Sequence, residues 1–250
     1  MKDVASQIRQ GNRLALSRLL TWIENENPEG RAALDELFAL TGRAFIIGIT
    51  GPSGSGKSTL VNRLAIQLTG SPQTPQSVAV LAIDPSSPFS GGAILGDRVR
   101  MRDLMEHPEI FVRSAATRGA LGGLARSASE MVLALEAGGF DFVLVETVGA
   151  GQSEVDIACL AHTTLVVEAP GLGDDIQAAK AGILEIADIL VVNKADKNGA
   201  DAAARSLAAM LEIGADAAGL NREEQGIWKV PVLKTSALND EGVDELVAAI

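Results

Sequence analysis

The stretch that decides the fold is Ala44-Phe45-Ile46-Ile47-Gly48-Ile49-Thr50-Gly51-Pro52-Ser53-Gly54-Ser55-Gly56-Lys57-Ser58-Thr59. Its first half, 44–50, is a short apolar run rich in β-branched residues, which reads as a fully buried parallel strand. The second half, GPSGSGKS over 51–58, matches G-x-x-x-x-G-K-[ST] at every fixed position. An amphipathic helix is predicted next, with Leu60, Val61, Leu64, Ile66 and Leu68 as its apolar set. Strand, glycine loop and helix are the context this pattern needs. The glycines Gly51, Gly54 and Gly56 let the backbone curl so that its N–H groups, those of Ser53, Ser55 and Thr59 included, turn toward phosphate oxygens. The helix N-terminus adds partial positive charge. Lys57 is then expected at the β- and γ-phosphates and Ser58 on Mg²⁺. The bland alternative is a structural Gly/Ser loop, which would not require all the fixed positions at once.

Outward from this stretch, apolar runs alternate with helical patterns. Strands are read at 77–83, 110–113, 141–146, 163–168, 189–193 and 230–233. Helices are read at 124–137, 176–186 and 200–213, and from 240 to the end. Such alternation, with several fully apolar strands, predicts an α/β chain: a P-loop NTPase with a doubly wound, mostly parallel sheet and helices on both faces. Ahead of it, residues 2–24 carry Val4, Ile8, Leu16, Leu19, Leu20 and Ile23 close to helical spacing, and 31–40 reads as a second helix after the breakers Pro28 and Gly30. The expected division is a small helical extension over 1–43 and a nucleotide-binding domain over 44–250.

Composition narrows the partners. The 250 residues are 47% hydrophobic and carry a formal net charge of -11, which argues against a nucleic-acid binder that would need a basic face. The single cysteine, Cys159, excludes a disulfide framework within one chain and fits a reducing compartment. No apolar run approaches a membrane span, and the N-terminus is too charged for a secretory signal, so the expected location is the cytoplasm.

Two further constellations carry chemistry. Asn193-Lys194-Ala195-Asp196 fits N-K-x-D at a strand end, followed downstream by Ser236-Ala237-Leu238. The Asp196 carboxylate can accept from both the ring N–H and the exocyclic amine of guanine, a donor pair adenine lacks. The stem of Lys194 can lie along the base, and a backbone N–H at Ser236-Ala237 can meet the guanine oxygen. Glu146, at the end of an apolar strand and three residues before Gly149, stands where nucleotide hydrolases hold Mg²⁺ and sense the γ-phosphate. Asp84 ends another strand, where ligands collect in doubly wound sheets. The slot that often holds a water-orienting glutamine is Ala150, with Gln152 two residues further on, and Arg98, Arg100, Arg113 and Arg118 are available cations. Slow intrinsic turnover is expected.

With those residues quoted, the chain resembles the MeaB/ArgK G-proteins, whose human counterpart is the methylmalonic aciduria type A protein. The resemblance runs through TGRAFIIGITGPSGSGKSTL (41–60), AIDPSSPFSGGAILGDRVRM (82–101), RGALGGLAR (118–126), ETVGAGQSE (146–154), PGLGDDIQAAKAGI (170–183), NKAD and SAL. It implies a GTPase chaperone of an adenosylcobalamin-dependent mutase, chiefly methylmalonyl-CoA mutase, which gates cofactor loading and protects the mutase. It further implies that Asp84, Asp97 and Glu146 serve the Mg²⁺ and catalytic region, with Ser58 as direct ligand, and that Lys180 belongs to a switch coupling nucleotide state to the partner. Family members usually continue into a C-terminal arm used for dimerisation, whereas this chain stops at Ile250; a homodimer is therefore left open. Two other readings compete. A nickel-inserting GTPase would need clustered Cys and His, but only Cys159, His107 and His162 are present, widely spaced. A phosphotransferase of the amino-acid transport type would need an acceptor pocket and a base, neither legible here.

Overall fold

The computed structural model describes residues 3–70, 73–85, 102–117, 123–147, 153–171, 184–217 and 228–250. Seven strands form one sheet: β1 Phe45–Thr50, β2 Val78–Pro85, β3 Ile110–Thr117, β4 Phe142–Thr147, β5 Thr163–Glu168, β6 Ile189–Val192 and β7 Val232–Lys234. Their order is β3-β2-β4-β1-β5-β6-β7 and every pairing is parallel. The expected doubly wound sheet is therefore present, and parallel throughout. Among the described residues eight α-helices accompany it: α1 Val4–Arg9, α2 Arg13–Glu24, α3 Pro28–Leu37, α4 Lys57–Leu68, α5 Gly123–Ala137, α6 Ser153–Leu160, α7 Ala200–Ala217 and α8 Val243–Ala249. No helix among these residues is long and apolar enough to cross a membrane.

Both faces of the sheet are covered, which is why its strands read as continuous apolar runs rather than alternating ones. Ile47, Ile49, Leu144 and Leu165 pack with Leu60 and Leu64 of α4 and with Val243 and Leu246 of α8. On the other side Ile46, Leu81, Val143 and Val145 pack with Leu135 of α5, and the same cluster takes in Leu19, Leu20 and Leu37 from the N-terminal helices. Val166, Leu190 and Val192 meet Ala200 and Leu207 of α7.

The N-terminal segment departs from the sequence reading in two places. The apolar pattern over 2–24 is split into two helices, because Gly11 adopts φ +77° and Asn12 caps a new start by accepting from Leu14 N and Ala15 N. Pro28, read as a breaker, is the first residue of α3, where its missing N–H costs nothing. Most of the helix read at 176–186 lies outside the described residues.

Candidate functional site

The order of strands places β1 centrally, between β4 and β5, so the loop after β1 opens at the carboxyl rim of the sheet. Glycine is required there at two points. Gly51 has φ +136°, and a Cβ on it would lie 2.1 Å from Val167 O, a backbone atom that cannot give way. Gly56 has φ +90°, and a Cβ there would lie 2.5 Å from Asn193 Nδ2. Lys57 begins α4 with its side chain buried, its Nζ donating to Gly51 O at 2.8 Å and Pro52 O at 2.9 Å. The ammonium is thus held inside the curve of the loop by two carbonyl oxygens, acceptors that phosphate oxygens can replace. Ser53, Gly54, Ser55 and Thr59 lie in the same loop and first helical turn.

Ser58 Oγ donates to Glu146 Oε1 at 2.7 Å. Glu146 sits at the end of β4 and is buried; its register partners are Ile49 of β1 and Ala82 of β2. A hydroxyl and a carboxylate in contact at the start of α4 are hard oxygen donors of the kind Mg²⁺ takes, so the residues present fit such an ion. The backbone of Asp84 lies two residues past Ala82 on the same rim, opposite Ala116 of β3. Its side chain, like Asp97, Lys180, Ala150, Gln152, Arg98, Arg100 and Arg118 as a whole, lies outside what is described. Arg113 is on the edge strand β3 and pairs with Glu24 of α2, away from this rim's centre.

The second half of the site is built around Asn193, just past β6 and 2% exposed. Its Nδ2 donates to Ser55 O at 3.0 Å and Gly56 O at 3.3 Å. Its Oδ1 accepts from Thr235 Oγ1 and from Ala237 N, each at 3.2 Å. One buried amide therefore ties the glycine loop to the Ser236-Ala237 turn with all its hydrogen-bonding capacity used. Lys194 takes φ +59° and its Nζ donates to Gly54 O at 2.5 Å. Asp196 Oδ1 accepts from Ser236 Oγ at 2.7 Å. That hydrogen bond, with a backbone N–H and the charges of Lys197 and Lys194, outweighs desolvation and holds the Asp196 carboxyl below its ordinary value. Leu238 follows, 73% exposed.

The sequence-predicted residues of the loop, Glu146, Asn193, Lys194, Asp196 and the 236–238 turn thus gather on one rim. Three contributors were missed. Thr235 buttresses Asn193, and Thr147 Oγ1 bonds Thr50 Oγ1 at 3.1 Å beneath the loop. Arg63 Nε donates to Ala237 O at 3.1 Å. A hydroxyl directly ahead of Ser236 was a usable signal for the first; nothing local marks Arg63.

Residues 16–250 match the family described as methylmalonyl Co-A mutase-associated GTPase MeaB. The chain belongs to this family. A Pyrococcus abyssi relative is 46% identical over 98% of this chain and 73% of its own length. The GTPase ArgK of Escherichia coli is 37% identical over 98% of this chain and 73% of its own. Among solved structures, the crystal structure of a LAO/AO transport system kinase matches with a TM-score of 0.76 and 30% identity, covering 98% of this chain and 72% of that one. The MeaB-family chain is thus of the P-loop GTPase type.

Proposed function

We propose that the protein binds GTP with Mg²⁺, hydrolyses it to GDP and phosphate, and uses its nucleotide state to gate cofactor loading of an adenosylcobalamin-dependent mutase of the methylmalonyl-CoA type in the cytoplasm. The observation that carries the nucleotide part is the double tie of the glycine loop. Ser58 joins it to Glu146, and Asn193 joins it to the Ser236-Ala237 turn. Phosphate chemistry and base selection are thereby held at a fixed spacing. The mutase part rests on the family's description as mutase-associated.

In this reading Lys57 exchanges its two carbonyl acceptors for β- and γ-phosphate oxygens, and the amides at the start of α4 face the same charge. Ser58, Glu146, Asp84 and Asp97 would hold Mg²⁺, which would neutralise charge on the phosphates. Asp196 accepts from the ring N–H and amine of guanine, the Lys194 stem lies along the base, and the Leu238 N–H of the 236–238 turn meets the keto oxygen, since the Ser236 and Ala237 N–H groups are engaged by Glu241 O and Asn193 Oδ1. Lys180 relays the nucleotide state to the mutase, with a homodimer as one form of the assembly. The nickel-inserting alternative gains no support: among the described residues no three His, Cys, Asp or Glu side chains are grouped to hold a metal.

Calorimetry with GDP and ADP tests the base reading, and multiple-turnover phosphate release tests hydrolysis. GDP should bind in the range of about 1 μM or tighter, with ADP much weaker. Lys57→Ala should abolish turnover. Equal affinity for the two nucleotides overturns the guanine assignment, and wild-type turnover by Lys57→Ala moves the chemistry elsewhere.

A further inference from the structure

Resting on the guanine reading above, we infer that Arg63 is a specificity-determining positioning residue, one that fixes the backbone turn facing the purine keto oxygen. Arg63 lies on α4, the helix that Lys57 begins. Its Nε donates to Ala237 O at 3.1 Å, and Ala237 itself is 2% exposed. The peptide plane joining Ala237 to Leu238 is rigid and trans, so holding that carbonyl also sets the direction of the Leu238 N–H, which points the opposite way. The preceding N–H, on Ala237, is already donated to Asn193 Oδ1. Among the described residues Leu238 N–H has no backbone partner. The turn therefore offers one engaged and one directed donor: backbone bonds between Ser236 and Asn239 and between Ser236 and Glu241 close it, and the guanidinium of Arg63 holds the one carbonyl whose peptide plane carries the Leu238 N–H. One helical turn on, Gln67 Nε2 donates to Asp244 Oδ1 at 2.8 Å, tying α4 to α8 without touching the turn. A single helix thus carries the phosphate lysine at its start and the anchor of the base-reading turn further along.

The test compares GDP with 6-thioguanosine diphosphate, which keeps the ring N–H and the amine but replaces the keto oxygen by a weaker acceptor. Arg63→Ala should weaken GDP about tenfold and the thio analogue about threefold or less, so that discrimination between them narrows. Arg63→Lys, which can still donate to the carbonyl but without the planar guanidinium, should fall between; it carries the test if the alanine variant does not fold. Gln67→Ala should lower the melting temperature and leave the ratio unchanged. Equal loss for both nucleotides, no loss for GDP, or the same narrowing in Gln67→Ala overturns the inference. A wild-type protein that does not prefer GDP to ADP is a different failure: it removes the guanine reading itself, and this inference with it.

Discussion

The Asp196 carboxyl is held below its ordinary value by a hydroxyl only 2.7 Å away. Ser236 Oγ donates to it, and this is the largest of the causes that lower its pKa. A depressed carboxyl holds its charge above the folded value and loses it as pH falls through that value. Guanine binding in the proposed reading needs the charged form, so GDP affinity should stay level from neutral pH down toward the ordinary carboxyl value of 3.8. Ser236→Ala removes the main lowering cause, and the fall in affinity should then begin at higher pH. Affinity titrations of both proteins at stepped pH measure this; superimposable profiles would show that Ser236 does not set the titration. At this scale the sequence was readable where the chemistry is local. The glycine loop and N-K-x-D place donors and acceptors within a few residues of one another, and spacing alone reveals them. Arg63 was not readable, because its partner lies 174 residues away along the chain; Thr235 carried a signal in standing directly ahead of Ser236, but its partner, 42 residues away, did not show. Only the strand order brings them together.

Elements were legible as far as their apolar periodicity was uninterrupted. Residues 2–24 keep helical spacing straight through a break, since the phase of Val4 and Ile8 continues into Leu16, Leu19 and Leu20. The signal for the break was the pair Gly11-Asn12, a left-handed residue followed by a cap, and periodicity does not weigh it. The end of α2 makes one of the contacts that fasten this segment to the sheet, beside Arg13 NH1 donating to Ile110 O at 3.2 Å. Glu24 Oε2 pairs with Arg113 NH2 of β3, and Oε1 accepts from Ala116 N at 3.1 Å. The two side chains are 15% and 18% exposed, so the pair is largely withdrawn from water. Glu24→Ala strands the guanidinium and should cost about 2–3 kcal/mol, toward the low end of buried-pair losses because some solvent remains. Adding Arg113→Met should recover part of that loss, since the uncompensated charge leaves with it. Urea unfolding of the two variants and wild type reads this directly. Simple additivity, or a double variant less stable than Glu24→Ala, would mean that the carboxylate acts mainly through Ala116.

At the scale of the whole molecule, the parallel sheet was legible because burial on both faces makes its strands read as unbroken apolar runs, but the order of those strands was not. Pairing in β3-β2-β4-β1-β5-β6-β7 joins segments far apart in sequence, and apolar runs of similar composition do not specify their neighbours. The order has a functional consequence. It sets β1 in the middle, so that the carboxyl ends of β2, β4, β1, β5 and β6 share one rim, where β2, β4 and β5 end at Pro85, Thr147 and Glu168. A partner that engages segments leaving this rim and prefers one nucleotide state must, by linkage, change nucleotide affinity by the same factor as nucleotide changes partner affinity. Hydrolysis is a rate and carries no such symmetry, but a partner that favours the hydrolysis-competent arrangement raises its population. The cognate mutase should therefore speed GTP hydrolysis at least about tenfold, which is about 1.4 kcal/mol off the barrier. Lys180→Ala should lower the ratio of stimulated to basal rate. Steady-state phosphate release with and without the mutase, for both proteins, gives the ratio. An unchanged ratio removes Lys180 from the coupling, and absence of stimulation by every cobalamin-dependent mutase tried would count against the chaperone role while leaving nucleotide binding at the Asn193 and Ser58 ties untouched.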